Sequence, residues 1–170
     1  MKRLVIFRHA KAVPHSDAPD FDRALNARGL EDARATGAYL ATELLIPDLA
    51  LVSPALRTRQ TWEQASASLP GTPVRSEASI YDAETSTLLK LVRGIDDKVG
   101  CAILVGHNPG LSELAEQLTG HGDRYAFARL RTKFPTSAVA VIDIPAESWT
   151  EAAPRCGRLD RFVTPEGEDD

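Results

Sequence analysis

Short apolar runs alternate along the chain with segments of helical spacing. Leu4-Val5-Ile6-Phe7 is unbroken and apolar, and it predicts a buried strand that ends on Arg8-His9. Leu49–Val52 predicts a second strand, Val74–Ser76 a weak third, and residues 102–105 the strongest of the set. Residues 138–144 predict another strand between polar breaks, and residues 155–163 a last edge strand that closes the sheet. Between the strands, residues 27–45 carry Leu30, Ala33, Ala38, Leu40, Ala41 and Leu44 at helical spacing. Asn26 stands at the N-cap of that helix and Pro47 stops it. Ser53-Pro54 predicts a second helix, with serine as the cap and proline at its first position, carrying Arg57, Arg59, Gln60 and Thr61 toward Leu69. Residues 85–94 form a helix by the spacing of Leu88, Leu89, Leu91 and Val92. Asn108-Pro109 repeats the cap-plus-proline signal, for a helix that runs to Gly120 at its C′ position. Residues 11–25 are polar, contain Pro14 and Pro19, and read as a loop crossing the carboxyl edge of the sheet.

This alternation predicts an α/β fold: a single three-layer domain, residues 1–164, with a mostly parallel central sheet flanked by helices. Residues 165–170, Pro-Glu-Gly-Glu-Asp-Asp, read as a disordered acidic tail.

Composition narrows the function. With 43% hydrophobic and 26% charged residues the chain can bury a core and stay soluble. A net charge of -4 argues against a nucleic-acid partner, though a local arginine cluster would still suit a small anion. Cys101 and Cys156 suggest no disulfide scaffold, and Cys101 reads as a buried free thiol. No signal peptide is evident, and no apolar stretch approaches the roughly 20 residues that span a bilayer. The expectation is a cytoplasmic monomer that needs no membrane.

The chemistry sits at predicted strand ends, where open α/β sheets place ligands. His9 is the candidate nucleophile, because a neutral imidazole nitrogen attacks phosphorus well near neutral pH. Arg8 and Arg57 are candidate phosphate clamps, their guanidinium forks matching phosphate oxygens, and a helix N-terminus beside Arg57 adds positive field. His107, in Gly106-His107-Asn108-Pro109, would add a third cationic donor as imidazolium. Arg59 lies two residues beyond Arg57 and points to another face. No metal or cofactor is called for. A site of His15 with Asp17, Asp20 and Asp22 is conceivable, but those residues read better as a solvated loop that lids the pocket. His121 reads as a helix-terminal turn residue, and Trp62 and Trp149 as packing.

Arg8-His9-Ala10, Ser53-Pro54-Ala55-Leu56-Arg57-Thr58-Arg59-Gln60-Thr61 and Gly106-His107-Asn108-Pro109 resemble the histidine phosphatase superfamily, with its phosphoglycerate mutase-like fold. Within it, Arg8-His9-Ala10-Lys11-Ala12, residues 22–29 and the short chain resemble the SixA-type phosphohistidine phosphatase branch. The resemblance covers residues 1–145. It implies that His9 becomes phosphorylated while Arg8, Arg57 and His107 hold the phosphoryl group. Members that act like phosphoglycerate mutases carry glycine after the histidine and Ser or Thr two residues further on; here those positions are Ala10 and Ala12. Such members also carry a glutamate acid after the third strand. Here Asp82 and Glu84 are the candidates, and either equally suits a helix start.

A weak acid site points to a substrate whose leaving group needs little help. Expelling an alkoxide demands a proton donor, whereas imidazole leaves readily and can leave already protonated. The expected activity is therefore a metal-independent phosphatase working through phosphohistidine, on phosphohistidine in proteins or another activated phosphate. The alternatives are a phosphomonoesterase acting on a small phosphorylated molecule and a non-catalytic phosphate-binding module. A nucleotide-binding module lacks its glycine-rich loop after the first strand. The short connections around the predicted pocket suggest a shallow opening suited to a protein surface.

Overall fold

The computed structural model describes residues 1–167. Seven strands build one sheet: β1 (Lys2–Arg8), β2 (Leu49–Val52), β3 (Val74–Ser76), β4 (Cys101–Gly106), β5 (Thr119–Gly122), β6 (Val139–Ile144) and β7 (Gly157–Val163). Five helices flank it: α1 (Ala27–Thr42), α2 (Leu56–Ala65), α3 (Thr85–Arg93), α4 (Gly110–Leu118) and α5 (Arg124–Thr132). The strand order is β3-β2-β4-β1-β6-β7-β5, and only β6 runs against its neighbours. This is the mostly parallel α/β domain that the alternation predicts.

The middles of the central strands, residues 4–7 and 102–105, are unbroken apolar runs because both of their faces are covered. Leu4, Ile6, Leu51 and Leu104 pack with Leu88, Leu111, Leu114 and Leu130 of α3, α4 and α5. Val5, Phe7, Val52, Ile103 and Val105 pack on the opposite face with Leu40, Trp62 and Ala65 of α1 and α2. Trp62 is buried here, and Trp149 is fully buried with its indole donating to the Val99 carbonyl at 2.7 Å.

Helix α1 starts where expected, with the Asn26 side chain accepting from Gly29 N at 2.8 Å. Its buried stripe is a different one. Gly29, Ala33, Gly37 and Leu40 face inward, while Ala38 is exposed and Leu30 and Leu44 are 37% and 80% exposed. The cause is close approach: a Cβ on Gly37 would overlap the Ala65 backbone of α2. Two helices touching backbone to backbone leave no apolar signature on the contact.

The far side of the sheet departs most from expectation. β7 is not an edge strand; it lies between β6 and β5, and β5 is the edge. The signal read as a helix terminus, Thr119-Gly120-His121-Gly122, is this strand, and α4 stops at Leu118. Gly122 adopts φ +138° against the Leu159 backbone, where a side chain would collide. His121 is exposed on β5. Helix α5 escaped the sequence reading because it buries only Ala126 and Leu130 among arginines.

Cys101 and Cys156 are both free and half-buried, and burial pushes the Cys101 thiol up to about 11. Of the acidic tail, the carbonyls of Glu166 and Gly167 accept from Arg28 at 2.9 and 2.8 Å; residues 168–170 lie outside the described residues. No helix among the described residues is long and apolar enough to cross a membrane.

Candidate active site

Strand register assembles the site. Arg8 pairs with Gly106 across β1 and β4, and Val52 pairs with Val105 across β2 and β4. The carboxyl ends of three adjacent strands are therefore level. The next residues, His9, Ser53 and His107, emerge together. The rings of His9 and His107 stand 5.4 Å apart, tilted by 51°.

His9 is 6% exposed, and its Nδ1 lies 2.7 Å from the Ala10 carbonyl. A carbonyl only accepts, so Nδ1 carries the proton and Nε2 keeps its lone pair. Burial pushes the imidazole well below its usual value, and the charges of Arg8 and Arg57 push the same way. The ring is therefore neutral at physiological pH, with its unprotonated nitrogen, Nε2, fixed by geometry. Thr61 secures the segment, accepting from Ala10 N at 2.9 Å and donating to the Arg57 carbonyl at 2.7 Å.

His107 Nε2 lies 2.8 Å from Ser53 Oγ. Burial first and Arg57 second lower His107 to about 4. The sequence reading gave it a positive charge; the pocket's own residues hold it neutral, a tendency that phosphoryl charge would oppose. Ser53 is thus not a helix cap. Helix α2 begins at Leu56 after an Ala55 cap without a side-chain bond; the serine hydroxyl is turned to His107 at 2.8 Å and accepts only loosely from Ala55 N at 3.4 Å. Asn108 is not a cap either. Its Nδ2 donates to the Phe134 carbonyl at 2.8 Å, the same carbonyl that accepts from Arg8 Nη1 at 3.0 Å, and α4 begins at Gly110.

Arg57 lies in the first turn of α2 with its side chain 6% exposed. Its Nη1 donates to the Asp20 carbonyl at 2.7 Å and its Nη2 to Asp20 Oδ2 at 3.1 Å. Its Nε is buried without a partner. Arg59 is exposed and donates to the Pro54 carbonyl at 3.0 Å, away from the site.

The sequence reading placed Asp20 in a loop that lids the pocket without giving it a partner there, and it missed Tyr81. Asp20 Oδ2 accepts from the Tyr81 hydroxyl at 2.6 Å, and Oδ1 accepts from Arg23 Nε at 3.2 Å. The Tyr81 bond, together with Arg57 and Arg23, holds Asp20 down at about 2. The signal available was the Asp20-Arg23 pair, three apart in a polar loop. Asp82 reaches the pocket wall with φ +55°, whereas Glu84 stands exposed at the start of α3 outside the lining. His15 is 76% exposed, with Nδ1 3.5 Å from Asp20 Oδ1. No group of three metal-ligating side chains occurs among the described residues.

The resulting cavity is about 280 Å³. A larger groove of about 530 Å³ runs between α1 and residues 163–166, at the end of β7, but no histidine lines it. The chemistry therefore places the site in the smaller cavity.

The two buried neutral histidines make stability acid-sensitive. Each binds its proton more readily unfolded, so stability is full above about pH 6.5 and falls as pH drops toward 4. His107 alone accounts for a loss of order 3 kcal/mol across that window, from its value near 4. Denaturant unfolding at pH 7.5 and pH 5 is expected to show about 2 kcal/mol of this loss, and His107→Gln to shrink it. A stability that stays flat from pH 7.5 to 5 would overturn the assignment of buried, neutral rings.

Sheet, register and pocket define a phosphatase on a phosphoglycerate mutase-like fold. Residues 4–87 match the model of the histidine phosphatase superfamily, branch 1. An uncharacterized protein of Mycobacterium leprae is 34% identical over 163 residues, covering 93% of this chain and 99% of that one. A structure assigned as the phosphohistidine phosphatase SixA of Agrobacterium tumefaciens superposes with a TM-score of 0.82 at 32% identity, covering 96% of this chain and 98% of that one. A second structure so assigned, from Nakamurella multipartitia, gives 0.86 at 26% identity, covering 98% and 97%. The chain belongs to the histidine phosphatase superfamily, in its SixA-type branch.

Proposed function

We propose that the chain hydrolyses phosphohistidine in proteins through a covalent phospho-His9 intermediate. The observation that carries the reading is the His9 ring. It is buried, neutral, and fixed by the Ala10 carbonyl in the tautomer that leaves Nε2 free. The Nε2 lone pair attacks phosphorus, the bond from phosphorus to the leaving group breaks, and water later displaces His9. Arg8 and Arg57 neutralise the phosphoryl oxygens, and the buried, unpartnered Arg57 Nε–H is a donor of the kind an oxyanion satisfies. His107, its ring oriented by Ser53, lines the same pocket beside them.

The substrate class follows from the proton inventory. Asp20, near 2, is an anion at any working pH and donates no proton. Glu84 lies outside the pocket, which leaves the exposed Asp82 as the one wall carboxylate still eligible as an acid among the described residues. A site this poor in acids favours imidazole over alkoxide as the leaving group. The SixA assignments of the two superposed structures support the same substrate.

The test is phosphate release, with EDTA present, from a phosphohistidine peptide beside a phosphoserine peptide. Release from phosphohistidine alone is expected. Comparable release from phosphoserine would mean that Asp82 or another group acts as a competent acid, and the chain would be a broader phosphomonoesterase. Inhibition by EDTA would overturn the metal-independent mechanism.

A further inference from the structure

Pocket depth sorts the residues by role. His9 and Arg57 form the floor, each about as buried as a core residue, with His9 6% exposed. The Asp20 side chain lines the pocket and is 39% exposed, so it stands at the mouth; Phe21, 40% exposed, lies beside it against the pocket-lining Tyr81. In phosphoryl transfer the attacking and leaving atoms lie roughly in line through phosphorus. Attack from the floor by His9 therefore sends the leaving group to the mouth.

What waits there is a fixed carboxylate beside aromatic rings. Phe21 meets Tyr81 edge to face at 5.2 Å, and Tyr81 meets His107 the same way at 5.5 Å. Asp20 Oδ2 is held by Tyr81 and Arg57, while Oδ1 has looser contacts, Arg23 at 3.2 Å and the exposed His15 Nδ1 at 3.5 Å. The His15 side chain is 76% exposed, so a ring N–H can take its place on Oδ1.

We propose that Asp20 and Phe21 form a leaving-group subsite for the imidazolium ring of a phosphohistidine, Asp20 accepting from the ring nitrogen that does not carry phosphorus. This rests on the phosphohistidine reading and assigns it a recognition element. The ring is flat and cationic when protonated, which suits an aromatic edge and a carboxylate together. The step balances without an acid. The His9 Nε2 lone pair forms the new N–P bond, the old P–N bond breaks, and its electron pair returns to the substrate nitrogen. The other ring nitrogen keeps its proton, and neutral imidazole departs. A serine phosphate gains nothing here, because its developing alkoxide would face the Asp20 charge.

The experiment compares kcat/KM on a phosphohistidine peptide and on p-nitrophenyl phosphate, whose leaving group needs no proton, for wild type, Asp20→Asn and Phe21→Ala. Inhibition by inorganic phosphate reads the Arg57 clamp separately. Asp20→Asn is expected to lower the phosphohistidine-to-p-nitrophenyl ratio by about 10- to 100-fold, the range of one charge-assisted hydrogen bond. Phe21→Ala is expected to lower it several-fold. If both substrates fall in parallel and phosphate inhibition weakens with them, Asp20 acts only by holding Arg57 and the subsite is overturned. An unchanged ratio in both variants overturns it too, while the phosphohistidine reading stands. If wild type releases nothing from phosphohistidine, the substrate reading itself fails and the subsite falls with it.

Discussion

Alanine at position 9 is expected to abolish phosphoenzyme formation and to cut turnover by at least about 10,000-fold, the scale seen when a covalent nucleophile is removed. No other side chain replaces it. His107, the nearest imidazole, has Nε2 committed to Ser53 and Nδ1 buried. The variant should stay folded. It loses one buried hydrogen bond to the Ala10 carbonyl, a cost of about 1 kcal/mol. Phosphate should still bind, since Arg8, Arg57 and His107 remain. Intact-mass spectrometry of acid-sensitive phosphoprotein after mixing with substrate checks the intermediate, and phosphate release checks turnover. A variant that still carries phosphate would move the nucleophile to another residue. One that turns over without carrying phosphate would replace the covalent route by direct attack of water.

The legible part of this molecule is the part that periodicity controls. Leu4–Phe7 and Ala102–Val105 are strands buried on both faces, and the candidates that follow them, Arg8, His9 and His107, meet Arg57 of α2 in one pocket. Local signals failed where a polar side chain had a distant partner. Ser53 and Asn108 each carry a cap-and-proline signature, yet their side chains are spent on His107 and on the Phe134 carbonyl. The partners of Asp20 escaped for the same reason: Arg57 and Tyr81 lie 37 and 61 residues away. Small residues hid the rest. Gly37 marks the tightest helix contact and Gly122 an edge strand, and neither contributes an apolar pattern. Fold class and the gathering of the candidate groups in one pocket were thus legible. The residues that orient those groups, and the outer strands, depended on pairings that only the folded chain reveals.

Arg57→Ala is expected to lower kcat/KM by about 1,000- to 10,000-fold, within the range of a removed arginine that stabilises a phosphoryl transition state. Arg57 is buried beside the histidines, and its unpartnered Nε–H is held in place by two bonds to Asp20 from the far end of the fork. Those bonds fix the guanidinium plane before substrate arrives, so little freedom is lost on binding. Truncation removes the charge and leaves Asp20 facing the pocket with one less cation. The incoming phosphoryl group would then meet a net repulsion where it met attraction. Folding should be nearly unaffected, because Asp20 is partly exposed and keeps Tyr81 and Arg23. Arg57→Lys separates charge from shape. It restores the cation but not the planar fork, and it is expected to recover only part of the loss, leaving a deficit of about 100-fold. Both steps use the same clamp, so single-turnover measurements should show slowed phosphorylation of His9 and slowed release of phosphate together. A loss smaller than about tenfold in Arg57→Ala would mean that Arg8 and His107 suffice. Arg57 would then serve mainly to anchor the Asp20 loop.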